Sequence, residues 1–159
     1  MKILSFDQSS TNSGYCLYDT TAKTIITSGA IDKHKIKNTD ERVMEMGVAI
    51  CKKIKELSPD FVTIEHIQNQ SNTATVILLA RLQGFIIGWC YTHKIRVEIM
   101  EPAKWRSQLS FKQGPKVKRD ELKQQAVDYV QGYFGIDDCS VDECEAICMV
   151  VAASKLWGE

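Results

Sequence analysis

Short apolar runs that alternate with polar residues predict five β-strands in this chain. Residues that favour turns bound these runs, among them the Ser/Thr/Asn-rich stretch 9–13. The first three runs follow one another closely, so we expect them to form an antiparallel meander. The predicted strands cover residues 3–7, 14–18, 24–31, 60–65 and 95–100.

Apolar residues at steps of three and four predict helices between and after these strands. The most regular one follows Asn38 and Glu41, whose spacing is typical of a helix N-terminus, and it ends before Pro59. Residues 73–92 are apolar on nearly every side, so we expect the sheet to cover one face and another element or a second subunit to cover the other. The predicted helices cover residues 39–57, 73–92, 118–134 and 140–157, and Pro102 with residues 111–116 is predicted to interrupt order.

The element order predicts an α/β fold in which helices flank a mixed five-stranded sheet. The 159 residues suit a single domain over 1–159, because domains commonly hold about 100–150 residues. We find no secretory signal and no apolar stretch of about 18 residues, so we expect a cytoplasmic protein without a membrane segment.

Charge is balanced over the whole chain but not along it. Twenty basic and twenty acidic residues give zero formal charge, which argues against a generic polyanion binder. Residues 102–125, however, carry seven basic side chains against two acids, a balance of +5, and residues 126–159 carry seven acids against one lysine, a balance of −6. A basic segment therefore precedes an acidic one.

Six cysteines allow disulfides or structural zinc in principle. Without a signal peptide, and with a chain long enough to build a core, we expect buried reduced thiols instead. The last three are not spaced as a paired C-x-x-C zinc knuckle. The cysteines are Cys16, Cys51, Cys90, Cys139, Cys144 and Cys148.

Four carboxylates are candidates for one shared site. Asp142 and Glu145 lie three residues apart, on the same face of the last predicted helix. Asp7 and Glu65 each end an apolar strand, and a right-handed crossover between parallel strands would bring both to one sheet edge. The alternative for the helical pair is that both are exposed first-turn acids that favour the helix dipole.

Converging carboxylates repel one another unless a divalent cation binds, and hard oxygen ligands favour Mg²⁺ or Mn²⁺. Two such ions can activate water and stabilise the phosphoryl transition state, which is the chemistry of phosphodiester hydrolysis. No Ser/His/Asp arrangement competes, because His34, His66 and His93 are scattered. His66 directly follows Glu65, and we interpret it as non-catalytic because neighbouring strand residues face opposite sides.

Three segments resemble the acidic motifs of RuvC-type Holliday junction resolvases, in particular the compact RuvC-like enzymes of bacteriophages. They are ILSFDQSSTNSGYCLYD (3–19), IEHIQNQSNTATVILLARLQG (64–84) and DECEAICMVVAAS (142–154). The resemblance implies a ribonuclease H-like fold, a homodimer and Mg²⁺-dependent paired nicking of branched DNA, with two ions per site. It also implies the host cytoplasm as the location if the protein is phage-encoded. By this analogy the metal ligands are Asp7, Glu65, Asp142 and Glu145.

Nucleic-acid binding is expected from the basic segment, because its side chains would contact phosphates without reading sequence. The segment includes two aromatic residues, Trp105 and Phe111, which we interpret as packing anchors rather than base-stacking groups. Gln68 stands where the family has an aromatic residue associated with opening the junction, which favours broader action on branched DNA. The predicted DNA-binding residues are Lys112, Lys116, Lys118, Arg119, Lys123 and Gln68.

Other functions remain open on the sequence alone. The acid followed by a Ser/Thr-rich turn at residues 7–11 also resembles the phosphate-binding hairpin of actin-like phosphotransferases, but those need two such domains to clamp a nucleotide. A ribonuclease H-like nuclease acting on structured RNA is a second alternative, and a non-enzymatic nucleic-acid-binding module is a third. We expect no nucleotide cofactor.

Overall fold

Five strands form one mixed sheet in the computed structural model, which describes residues 1–68 and 72–158. The strands are β1 (Lys2–Asp7), β2 (Asn12–Asp19), β3 (Thr24–Asp32), β4 (Phe61–Glu65) and β5 (Arg96–Met100). Their order across the sheet is β3-β2-β1-β4-β5. The predicted meander is confirmed, because β1 pairs with β2 and β2 with β3 in antiparallel fashion.

Helices cover both faces of this sheet. They are α1 (Thr39–Leu57), α2 (Thr73–Thr92), α3 (Pro102–Gln108), α4 (Arg119–Phe134) and α5 (Val141–Trp157). The prediction that Pro102 interrupts order is wrong, since a short helix begins there. Proline suits the first helical position because the N–H that it lacks would have no partner in the helix anyway.

The parallel pairing of β1 with β4 is confirmed, with Ile3 opposite Phe61 and Phe6 opposite Ile64. Since both strands run in the same direction, their C-terminal acids, Asp7 and Glu65, emerge at the same edge of the sheet. The antiparallel pairing of β1 with β2 sets Gly14 opposite Asp7 at this edge.

Each face of the sheet has its own apolar core. On one face α5 packs across β1 and β2, with α3 and α4 beside it. Most of α5 between Cys144 and Ala153 is buried there. On the other face α1 packs through residues such as Met46 and Ile50, and α2 packs against α1.

Helix α2 buries only one side within the chain. Leu82 and Ile86 are fully buried, whereas Ile77 and Tyr91 are 47% and 85% exposed. By length and composition the helix could cross a membrane, so the expectation that the chain has no such apolar stretch is wrong. Core helices of water-soluble proteins pass the same test. We interpret it as part of the folded domain because it packs against α1 and β5. Coverage by a second subunit stays a prediction.

The cysteines are free thiols, as the sequence predicts, and all but the half-buried Cys139 are buried. The sulfur atoms of Cys139 and Cys144 lie 2.8 Å apart just before and within the first turn of α5.

Candidate metal centre

Three carboxylates meet at the sheet edge where β1 ends. Asp7, Asp142 and Glu145 each offer an oxygen, and these oxygens all lie within 4.8 Å of one another. All three residues are half-buried. Within residues 1–68 and 72–158 this is the one group of three or more acidic, histidine or cysteine side chains placed closely enough to share a metal ion.

The first turn of α5 directs two of these acids inward. Ser140 caps the helix by accepting a hydrogen bond from the Glu143 N–H at 3.2 Å. Asp142 and Glu145, three residues apart, then share the face that looks towards β1. Glu143 points away from this face and accepts a 2.6 Å hydrogen bond from the Ser28 hydroxyl on β3.

Close contacts hold α5 against the strands at this point. The Ser5 hydroxyl on β1 donates to the carbonyl oxygen of Ala146 at 2.6 Å. A Cβ at Gly14 would lie 2.0 Å from the carbonyl oxygen of Asp142, so only glycine allows the helix to approach β2 this closely. The Asn12 amide donates to Oδ2 of Asp142 and fixes the orientation of that carboxylate.

Glu65 lies in the same cleft but outside the group of three. Its carboxylate Oε1 accepts a 2.8 Å hydrogen bond from the indole N–H of Trp105 on α3. Its main-chain carbonyl accepts hydrogen bonds from the side-chain amides of Gln83, at 3.0 Å, and Gln8, at 3.4 Å. The structure therefore brings all four predicted acids to one cleft, and three of them into mutual contact distance.

Burial, with repulsion between neighbouring carboxylates, raises the pKa values of Asp7, Glu65 and Glu145. Burial, followed by the charges of Glu65, Glu145 and Asp142, raises the pKa of Asp7 well above its usual value. Burial also raises the pKa of Glu65, although the Trp105 hydrogen bond and the Arg106 charge oppose it. The pKa of Glu145 is raised by burial against the opposing charges of Lys123 and Arg106. Without metal, these three acids therefore hold their protons more tightly than free carboxylic acids do. A bound cation would displace those protons.

Cationic side chains line the cleft together with the acids. The cleft has a volume of about 950 Å³, and Arg106, Arg119 and Lys123 contribute to its lining. The Nε of Arg106 is buried and has no hydrogen-bond partner among the described residues. Positive charge beside a carboxylate cluster creates a place for a phosphate next to the metal ligands.

Comparison with known proteins identifies the family. Residues 3–113 match the profile of the family described as crossover junction endodeoxyribonuclease RuvC. The chain belongs to the RuvC family. Comparison with curated protein sequences gives no match.

Solved structures share the fold of this RuvC-family chain. RuvC of Thermus thermophilus in complex with a Holliday junction substrate has 12% identity and a TM-score of 0.74, with 96% of this chain and 92% of that chain covered. The fowlpox virus resolvase, in complex with substrate Holliday junction DNA, has 18% identity and a TM-score of 0.69, with both chains fully covered. The yeast mitochondrial Holliday junction resolvase Ydc2 has 13% identity and a TM-score of 0.60, with 94% and 76% covered. The expected ribonuclease H-like fold is confirmed.

The predicted DNA-binding residues fall into two groups. Arg119, Lys123 and Gln68 line the cleft. The other three are exposed on the segment between α3 and α4 and do not contribute to the cleft wall. This second group is Lys112, Lys116 and Lys118. Their contact with DNA stays a prediction.

Sequence reasoning did not identify several residues of the RuvC-family site. The sequence identifies Trp105 only as a packing anchor and Arg106 only as one charge of the basic segment. It identifies Asn12 only as part of a turn. Only their positions in the chain could have indicated a role at the cleft, because Trp105 and Arg106 closely follow β5 and Asn12 begins β2. His66 lies at the cleft mouth, where its Nδ1 is 3.5 Å from a carboxylate oxygen of Glu101.

Proposed function

We propose that the protein is a metal-dependent endonuclease that resolves four-way DNA junctions by paired phosphodiester hydrolysis. The observation that carries this proposal is the cluster of Asp7, Asp142 and Glu145 within 4.8 Å in a chain of the RuvC family. Carboxylates this close have no structural benefit of their own, since each raises the cost of ionising the next.

The donor set suits a hard divalent cation. It consists of carboxylate oxygens alone, which Mg²⁺ and Mn²⁺ prefer over softer ligands. We infer two ions, because four carboxylates line one cleft and two divalent cations would balance their four negative charges. Asp7, Asp142 and Glu145, together with Glu65, would hold them. Bound there, such ions would lower the pKa of a water molecule and neutralise charge on the scissile phosphate.

The protein's own residues supply positioning and further positive charge. Asn12 and Trp105 orient the carboxylates of Asp142 and Glu65. Arg106 lines the cleft beside Glu65 and Glu145, where its guanidinium group would donate to a phosphate oxygen. Guanidinium groups suit this task because their planar N–H donors match phosphate geometry.

DNA is expected to reach the cleft along the basic segment between α3 and α4. Its exposed lysines, together with Arg119 and Lys123, would contact the phosphate backbone and make binding salt-dependent. Gln68 lines the cleft beside Glu65 and His66. A polar side chain there favours cutting of several branched structures over a strict four-way preference.

Paired nicking requires two active sites, so we infer a homodimer. The exposed face of α2, with Ile77 and Tyr91, is the apolar surface available for it, and a two-fold pair matches a two-fold branched substrate. Sedimentation velocity is expected to give a dimer, and Ile77→Glu is expected to shift it to monomer. A wild-type monomer bound to each junction would contradict the dimer.

Cleavage assays test the function. The protein is incubated with a four-way junction, a three-way junction, linear duplex and structured RNA, each with Mg²⁺, Mn²⁺ or EDTA. Symmetrical nicks in the four-way junction support a resolvase, and cutting of every branched DNA supports the broader activity. Cleavage of RNA alone would favour the alternative ribonuclease function. ATP turnover would favour the alternative of an actin-like phosphotransferase.

We also expect the protein to act in the cytoplasm.

A pair of variants separates catalysis from binding. Asp7→Asn is expected to abolish cutting while four-way junction binding, measured by fluorescence anisotropy, stays near the wild-type level. Asp137→Asn, at an exposed acid outside the cleft, is the matched control and should cut normally. Loss of binding together with cutting in Asp7→Asn would mean that Asp7 supports the fold rather than the reaction.

A further inference from the structure

Trp105 is fully buried yet bonded to an acid of the site. It has 0% exposure, and its indole Nε1–H donates to Oε1 of Glu65 at 2.8 Å. The indole N–H can only donate, and when it is buried it requires an acceptor. In this molecule the acceptor is a carboxylate that lines the catalytic cleft.

The hydrogen bond from Trp105 holds the side chain of Glu65, whose main chain is held separately. Its main-chain carbonyl is already held by the side-chain amides of Gln83 and Gln8. The bond from Trp105 then engages Oε1 and sets the rotation of the carboxylate, so Oε2 is the oxygen with more lone-pair capacity left for a ligand in the cleft. A glutamate side chain free to rotate would have to lose that freedom when a ligand binds.

Trp105 itself cannot turn away. It packs in the core beneath α5, with Phe111 against its ring at 5.7 Å between centroids in an edge-on arrangement. The guanidinium of Arg106 lies 4.9 Å from the ring centroid. The donor is therefore locked by packing, which is the property required of a group that orients a metal ligand.

We propose that Trp105 is a positioning residue that holds the Glu65 carboxylate with one oxygen turned into the cleft, and thereby sets the affinity of the site for divalent metal. The inference rests on the proposed function, in which Glu65 is a ligand. Trp105 touches neither substrate nor metal and acts through Glu65 alone.

Trp105→Phe tests the role, because phenylalanine keeps an aromatic ring in the core but removes the donor. We expect its affinity for Mn²⁺, measured by calorimetry without DNA, to fall about ten- to a hundredfold, as for other outer partners of metal ligands. Cleavage should recover when Mn²⁺ is raised. Trp157→Phe is the matched control, because Trp157 lies at the far end of α5 against Phe61, and it should bind Mn²⁺ like the wild type.

A second measurement uses the wild-type protein and does not depend on how the variant folds. The chain has three tryptophans, so its indole N–H groups give three signals in a ¹⁵N–¹H spectrum. On titration with Mg²⁺, the Trp105 signal should move and saturate with the metal affinity, while the Trp157 signal stays in place. The signals are assigned from the two variants or, for Trp105, by elimination with Trp89→Phe and Trp157→Phe.

The outcomes separate this inference from the proposed function. If the wild type takes up no Mn²⁺ and cuts no junction, the proposed function itself fails. If the wild type binds Mn²⁺ and cuts, but a folded Trp105→Phe binds Mn²⁺ equally well, only the positioning role is overturned. A Trp105 signal that ignores Mg²⁺ in the active wild type overturns it as well.

Discussion

Asp7→Asn is expected to stabilise the protein in the absence of metal, although it removes a proposed metal ligand. An oxygen of Asp7 lies within 4.8 Å of oxygens on Asp142 and Glu145. Asparagine has nearly the same shape and no charge, so the substitution removes repulsion while keeping the packing. A residue needed only for folding would show the opposite effect.

The size of the effect depends on pH. Two unit charges about 5 Å apart repel by about 3 kcal/mol at an effective dielectric constant of about 20. The pKa of Asp7 is raised by burial and by its acidic neighbours, so the folded state holds a proton that the unfolded state releases. Stability is therefore lost as pH rises from about 4, the ordinary aspartate value, through the raised folded pKa, by at most about 1.4 kcal/mol per pH unit.

Asparagine does not titrate, so its advantage should grow with pH. We expect little difference near pH 4 and a gain of about 1–3 kcal/mol near pH 8. For a chain of this size that corresponds to roughly 3–10 °C in Tm. Mg²⁺ should stabilise the wild type by about 2.7 kcal/mol at about 100 times its Kd. It should stabilise the variant much less, because the variant lacks one of the proposed ligands.

Thermal unfolding followed by circular dichroism measures both effects, in EDTA and in Mg²⁺ between pH 4 and pH 8. Asp137→Asn serves as control, because it removes an exposed acid outside the cluster and should change Tm little under any of these conditions. The reasoning is refuted if Asp7→Asn is less stable than the wild type in EDTA at pH 8, or if Mg²⁺ stabilises both proteins equally.

Three further variants test the site and the basic segment between α3 and α4. Gly14→Ala places a Cβ 2.0 Å from the Asp142 carbonyl oxygen and should cost about 1–3 kcal/mol or more in urea unfolding, with loss of cleavage. Replacing Lys116 and Lys118 with alanine should weaken junction binding and lower the slope of log K against log salt by about 2, measured by anisotropy across KCl concentrations. Arg106→Ala should slow single-turnover cleavage about a hundredfold, because it removes a donor to the phosphate, and should leave metal-free junction binding within about threefold of wild type.

Each of these has a matched control. Gly132→Ala lies within α4 with open space around it and should stabilise by about 0.5–1 kcal/mol, since alanine favours helices. Lys55→Ala, in the last turn of α1, should not change the salt dependence. Arg106→Lys retains the charge without the planar donors, and cleavage as slow as in the alanine variant would assign the effect to guanidinium geometry. An unchanged salt slope, or full activity of Arg106→Ala, would contradict the assigned roles.

The strands and the sheet edge could be predicted from the sequence because both follow local rules. Apolar runs predict each strand. The helix between β3 and β4 predicts a crossover connection, and a right-handed crossover makes β4 a parallel neighbour of β1. That topology alone placed Asp7 and Glu65 at one edge. Helical spacing added Asp142 and Glu145, so the acids of the site were predicted from short-range patterns and one rule of handedness.

The partners of these acids could not be predicted, because they depend on contacts between elements far apart in the chain. Asn12 and Asp142 are 130 residues apart, and Trp105 and Glu65 are 40 apart. Helix α3 is only seven residues long, which is too short for a helical spacing of apolar residues to be recognised. Its proline also predicts an interruption of secondary structure rather than the start of a helix. A buried tryptophan also looks the same in sequence whether or not its N–H contacts an acid.

The anchoring of α5 explains why the repulsion in the site persists. If the helix could move, it would withdraw its two acids from Asp7 and lower the electrostatic energy. The hydrogen bond from Ser5 to the Ala146 carbonyl, the contact at Gly14 and the bond from Ser28 to Glu143 prevent this by fixing the first turns to β1, β2 and β3. Proton uptake or cation binding is then the remaining way to relieve the repulsion, so the fixed position of α5 would favour binding of a divalent cation at the proposed site.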